Sequence, residues 1–97
     1  MLTELVFKKV EEAGIIRHVS DPVQVTGDFG LQLKFIASKN DFYILHSMDG
    51  TDYSIAYFSG NTKTDVINVP VRGIIPGMYI KISSNTEPAS GKILMSE

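Results

Sequence analysis

Leu31-Gln32-Leu33-Lys34-Phe35-Ile36-Ala37 decides the fold class. Leu31, Leu33, Phe35 and Ala37 fall on one side of an extended chain, and Gln32 and Lys34 on the other. A period of two marks a half-buried β-strand. Met78-Tyr79-Ile80-Lys81-Ile82-Ser83 repeats the pattern, with Met78, Ile80 and Ile82 inward. Phe42-Tyr43-Ile44-Leu45-His46-Ser47 is apolar on both faces at its start, as suits a central strand, and Tyr53 to Phe58 follows it. Ile67, Val69 and Val71 alternate with Asn68 and Pro70, and a proline there marks an edge strand or a bulge. Val23 and Val25 flank Gln24, Ile15 to Val19 is extended, and Ile93 with Met95 forms a last short strand.

Turn residues separate these runs. Asp21-Pro22 opens one strand, and Gly27-Asp28-Phe29-Gly30 breaks to the next. Asp49-Gly50 reads as a tight hairpin turn, because glycine accepts positive φ. Ser59 to Asp65 reads as a polar loop, and so does Asn85 to Gly91. Pro76-Gly77 fits the central pair of a type II turn. The spacing predicts an all-β fold, a single antiparallel β-sandwich of about seven or eight short strands, with a small closed OB-like β-barrel as the alternative.

Residues 1–14 read two ways. Leu2, Leu5, Val6, Val10 and Ala13 sit near helical spacing, with Thr3 as a cap and Gly14 as a stop. Leu5-Val6-Phe7-Lys8 also reads as a strand that leads to a turn at Glu11-Glu12-Ala13-Gly14, and this reading is preferred. The segment is set apart as an N-terminal strand, arm or short helix ahead of a sandwich domain over 15–97.

Composition narrows the function classes. The chain has 97 residues, enough for one domain. Its hydrophobic share of 43% is too high for a disordered chain. It has no cysteine, so disulfides, thiolate metal sites and cysteine nucleophiles are excluded. The net charge is −2, and the basic residues Lys8, Lys9, Arg17, Lys34, Lys39, Lys63, Arg72, Lys81 and Lys92 are scattered. Nucleic-acid binders concentrate such charge, so that partner is demoted. No apolar run is long enough to span a bilayer, and no membrane partner is expected. Met1-Leu2-Thr3-Glu4-Leu5 lacks the basic start and apolar stretch of a signal peptide, so synthesis in a cytoplasm without export is expected.

Motifs for chemistry are sparse. His18 and His46 lie in separate strands and form no HxH, HxxxH or HExxH spacing. GxSxG, GxxxxGK[ST] and GxGxxG do not occur. Asp49 and Asp52 lack the further oxygens of a calcium loop, and the simpler role is turn closure, with Asp49 starting the turn and Asp52 bonding local amides. Tyr43, Tyr53, Tyr57 and Tyr79 could stack on sugars or bases, but cross-strand packing explains them as well. No enzyme activity and no cofactor are expected.

Ser47-Met48-Asp49-Gly50-Thr51-Asp52-Tyr53 resembles the S-x-D-G-x-x-aromatic turn of small β-sandwich domains in tailed-phage virions. Ser20-Asp21-Pro22-Val23-Gln24-Val25 resembles the opening strand of such domains, and Met78-Tyr79-Ile80-Lys81-Ile82 resembles their late strand. The likeness covers about residues 15–97. It departs at Met78, where the pattern has arginine, and in lacking tryptophan. The same turn recurs in discoidin-like and other carbohydrate-binding sandwiches. The resemblance implies a virion structural protein, foremost a capsid decoration or auxiliary protein, otherwise a tail or fibre component. Its partners would be the major capsid protein or a tail protein, together with its own copies, a trimer being favoured. Leu2, Leu5, Val6 and Phe7 are the expected contact residues, and completion of the core is their other reading. Two alternatives from other classes are a carbohydrate-binding module presenting Tyr53 and Tyr57, and a barrel for single-stranded nucleic acid.

Overall fold

The computed structural model describes residues 1–63 and 65–95, apart from the side chains of Asn61 and Thr62. Thr64, in the loop expected over 59–65, and the last two residues of the 15–97 unit lie outside the described residues. Among the described residues ten strands follow one another: β1 (Leu2–Glu4), β2 (Phe7–Glu12), β3 (Ile15–Ser20), β4 (Val23–Gln24), β5 (Phe29–Lys34), β6 (Asn40–Ser47), β7 (Ser54–Thr62), β8 (Val66–Val71), β9 (Tyr79–Ser84) and β10 (Ser90–Met95). No helix occurs among the described residues. The strands form two antiparallel sheets, a four-stranded one in the order β1-β10-β5-β8 and a six-stranded one in the order β2-β3-β9-β6-β7 with β4 beside β9. The sheets do not close into a barrel, which sets the OB-like alternative aside. The β-sandwich expectation holds with more strands than foreseen, because the N-terminal segment supplies two.

Alternation builds the core. Phe29, Leu31 and Leu33 of β5, with Phe35 beyond it, are buried against Phe42 and Ile44 of β6 and Ile80 and Ile82 of β9. Ile93 and Met95 of β10, together with Leu5 and Val25, complete the cluster. Each such side chain contributes about 1.5–3 kcal/mol of gross burial energy. β8 lies at an edge of its sheet, where the missing N–H of Pro70 removes no ladder bond. The Pro76-Gly77 turn forms as read, with Gly77 at φ 96° and the Met78 amide donating to the Ile75 carbonyl at 3.2 Å.

The N-terminal segment is extended, not helical. β1 pairs with β10, and the chain then crosses at Leu5 and Val6 to the other sheet, where it becomes β2. The Leu5 amide donates to the Gly91 carbonyl at 2.8 Å, and the Val6 carbonyl accepts from the Asp21 amide at 2.9 Å. β2 turns into β3 through Ala13 (φ 52°) and Gly14 (φ 79°). Positive φ at both central residues is the type I′ hairpin turn. β3 leaves β9 after Val19, and the Ser20 hydroxyl then accepts from the Ile82 amide at 2.8 Å in place of a ladder partner. β4 resumes the pairing at Ile80.

Two expected loops come out differently. β7 runs to Thr62, so Ser59 to Thr62 is strand, not loop. Asp49-Gly50 is not a two-residue hairpin: Met48 to Tyr53 all lie between β6 and β7.

Candidate interaction surface

The outer face of the six-stranded sheet is built from alternate residues of its strands. Val19, Ser83, Tyr43 and Phe58 stand side by side across β3, β9, β6 and β7, and Lys81, Leu45 and Ile55 form the next row. A soluble sheet normally presents polar side chains here. Instead Phe58 is 52% and Ile55 60% exposed, and Val10 and Ile15 extend the apolar surface onto the β2–β3 hairpin. The β6–β7 pairing places the Tyr43 and Phe58 rings 4.8 Å apart.

Arg17 fixes one end of this face. Its guanidinium lies 5.0 Å from the Tyr43 ring centre. It donates to Asp41 Oδ1 at 2.6 Å, to Ser83 Oγ at 3.1 Å and to the Ser83 carbonyl at 2.9 Å. The fork therefore ties the β2–β3 hairpin to β9 and β6. Lys81 caps the Tyr53 ring at 4.4 Å. The Tyr53 hydroxyl is buried without a hydrogen-bond partner among the described residues. Burial, then the neighbouring Tyr79 and Asp49, raises its pKa.

The Met48–Tyr53 loop borders the face at the far end. Asp49 Oδ1 accepts from the Ser47 hydroxyl at 2.7 Å and from the amides of Thr51 and Asp52, each at 2.9 Å. Ser47 Oγ in turn accepts from the Gly50 amide at 3.0 Å. The carboxylate that bonds local amides is thus Asp49, and Asp52 supplies an amide to it. These bonds, those from Asp52 and Thr51 first, lower the Asp49 pKa from 3.8 to about 2. Gly50 adopts φ 78° and passes so close to Tyr79 that a Cβ would lie 3.4 Å from its ring.

The four-stranded sheet offers a smaller apolar patch. Leu2, Leu94, Gly30 and Pro70 stand in one row across β1, β10, β5 and β8. The missing side chain of Gly30 leaves a shallow groove of about 390 Å³ between Leu2, Leu94 and Pro70. The polar row beside it contains the Gln32–Asn68 hydrogen bond of 3.0 Å.

The expected contact residues separate. Leu2 and Val6 are each 58% exposed, whereas Leu5 is 9% exposed in the core and Phe7 packs against that core. The structure places Leu2 on the outer face of the four-stranded sheet and Val6 at the crossing between sheets. His46 lines a groove with Asp49, Asp52 and Ser54, its Nδ1 buried and unpartnered among the described residues. The Ser47 hydroxyl donates a hydrogen bond to Asp49. No cluster of three or more His, Asp or Glu side chains able to hold a metal occurs among the described residues, and no helix is long and apolar enough to cross a membrane. Arg17 carried no signal in the sequence, since its partners lie 24 and 66 positions away. Cross-strand packing of Tyr43 was readable in the sequence, and the structure supplies Phe58 as its partner.

Comparison with protein-family models, with curated proteins and with solved structures finds no match to this chain.

Proposed function

We propose that this chain is an assembly module that works by adhesion, a virion structural protein of the capsid-decoration or auxiliary type. One observation carries the reading. Among the described residues, fourteen large hydrophobic side chains are exposed, against twelve hydrophobic residues in the buried core. Single exposed apolar groups are ordinary, but contiguous ones mark surfaces that bind other proteins. Here seven of them lie on the two outer sheet faces, Val10, Ile15, Ile55 and Phe58 on one and Leu2, Val66 and Leu94 on the other, so the module can be covered from both sides. A standard interface of about 1,200–2,000 Å² fits such a sandwich. The partner in this reading is the major capsid protein or a tail protein, together with further copies of the chain.

The aromatic groups support adhesion to protein better than stacking on a sugar or a base. Arg17 and Lys81 already cover faces of Tyr43 and Tyr53, and the Tyr57 ring packs 5.9 Å from that of Phe42. The test is co-sedimentation of purified protein with capsids that lack it. Saturable binding that weakens about tenfold in an Ile55→Ser/Phe58→Ser double variant is the expected result. Failure to sediment with capsids or tails, or binding indifferent to those substitutions, overturns the reading.

A further inference from the structure

Each sheet edge is protected in its own way. β1 is three residues long, β8 carries Pro70, and β7 is bulged at two places along β6. β2 is six residues long, unbulged, proline-free and exposed from Lys8 to Glu12, and it pairs only with β3 among the described strands. Its protection is charge alone, and the order of that charge is unusual. Lys8-Lys9-Val10-Glu11-Glu12 reads the same when it is reversed and its signs are exchanged. An antiparallel copy of the strand therefore presents a negative group to each positive one.

The backbone permits only some registers. Glu12 and Ile15 flank the two-residue turn and form a hydrogen-bonded pair. Alternation from there directs the peptide groups of Val10 and Lys8 to β3, and those of Phe7, Lys9 and Glu11 to the open edge. A new ladder forms only where outward residues face outward residues. The register with Lys9 opposite Lys9 sets like charges together, and so does the one with Glu11 opposite Glu11. The register between them sets Lys9 opposite Glu11, Lys8 opposite Glu12 and Val10 opposite Val10.

We propose that β2 pairs antiparallel with β2 of a second copy, about a two-fold axis through Val10, and joins two six-stranded sheets into one. Lys9 and Glu11 supply about four backbone hydrogen bonds and, with their side chains, two ion pairs across the seam. The exposed Val10 side chains meet at the axis, in the closer, non-hydrogen-bonded type of pair. Lys8 is held by Asp21 at 3.1 Å, so the Lys9–Glu11 pairs set the specificity. Val6 comes opposite Gly14 of the second copy, which gives this exposed residue a contact. An isologous pairing of this kind closes as a dimer, so a cyclic trimer cannot use it. The seam is small beside a standard interface, and the dimer is accordingly concentration-dependent. The inference stands apart from the virion reading, because it concerns the purified chain alone.

Sedimentation velocity from about 5 µM to about 1 mM tests it, a range suited to a seam smaller than a standard interface. The average mass rises from 10.7 kDa toward twice that value. Lys9→Glu or Glu11→Lys turns two attractive contacts repulsive and raises the dissociation constant about tenfold or more. The Lys9→Glu/Glu11→Lys double variant restores the complementarity and the association. A Lys8→Glu/Lys9→Glu chain and a Glu11→Lys/Glu12→Lys chain each stay monomeric alone and dimerise when mixed. Circular dichroism confirms that the variants, all at exposed positions, keep the fold. A wild-type chain that stays at 10.7 kDa throughout, single variants that associate like wild type, or a double variant that fails to recover would overturn the proposal.

Discussion

Leu5→Ala and Leu2→Ala, three positions apart in one apolar segment, are expected to differ widely in stability. Leu5 is 9% exposed and sits in the core where the chain crosses between sheets. It is packed so closely that a Cβ built on Gly91 would lie 3.2 Å from Leu5 Cδ1 and 2.8 Å from Phe7 Cε1. Truncation to alanine removes buried methyl groups and leaves a cavity that neighbouring strands, held by their ladders, cannot fill. Such changes cost about 2–5 kcal/mol. Leu5 lies at the rim of the core, so about 2–3 kcal/mol is the estimate. For a chain of this size that lowers the midpoint by roughly 8–24 °C. Leu2 stays 58% exposed, and its truncation is worth about 0.5 kcal/mol or less. Urea unfolding followed by far-ultraviolet circular dichroism measures both, and tyrosine fluorescence provides a second probe in a chain without tryptophan. Equal losses for the two variants, or a Leu5→Ala loss within 0.5 kcal/mol of zero, would refute the division of this segment into core and surface.

Three further outcomes follow from the same geometry. Gly91→Ala forces its new methyl against Phe7, Leu33 and Leu5 and is expected to cost about 1–3 kcal/mol in the same urea assay. Asp49 is lowered from 3.8 to about 2 by its bonds, so its contribution is complete above pH 4 and is lost as pH falls through 2. Thermal midpoints from pH 5 to pH 2 therefore fall more steeply in wild type than in Asp49→Asn, which starts lower at neutral pH. Arg17→Ala removes three hydrogen bonds, one of them charge-paired, and is expected to cost about 1–3 kcal/mol. Arg17→Lys recovers little of this by thermal melting, because an ammonium cannot fork between Asp41 and Ser83.

Where residue type and period agree, the fold was legible. Leu31, Leu33 and Phe35 point inward as their alternation required, and Pro70 sits on an edge because its missing N–H leaves it few other places. The N-terminal segment was ambiguous for a physical reason. Leu2, Leu5, Val6 and Val10 satisfy helical spacing, yet β1 and β2 belong to different sheets, and the crossing at Leu5 breaks any single strand pattern. The turn that closes β2 places Ala13 at φ 52°, and no residue preference announces an alanine there. Asp49-Gly50 signalled a turn correctly but not its length, which the side-chain bonds of Asp49 and Ser47 determine. The apolar outer face was hidden because Ile55 and Phe58 look like core residues until the sheet order places them outside. The charge order of Lys8 to Glu12 was visible throughout, but it acquires meaning only once β2 is known to be an open edge.

Residue-resolved amide exchange at low and high protein concentration tests most directly the claim that this chain joins a second copy through the open edge of β2. In β2 the amides of Lys8 and Val10 are bonded to β3 in both states, whereas those of Lys9 and Glu11 face the open edge. The account predicts that exchange at Lys9 and Glu11 slows about tenfold or more as concentration rises through the dimerisation range, while Lys8 and Val10 hold steady. Equal exchange at Lys9 and Glu11 across that range, or slowing spread uniformly over the strand, would contradict it.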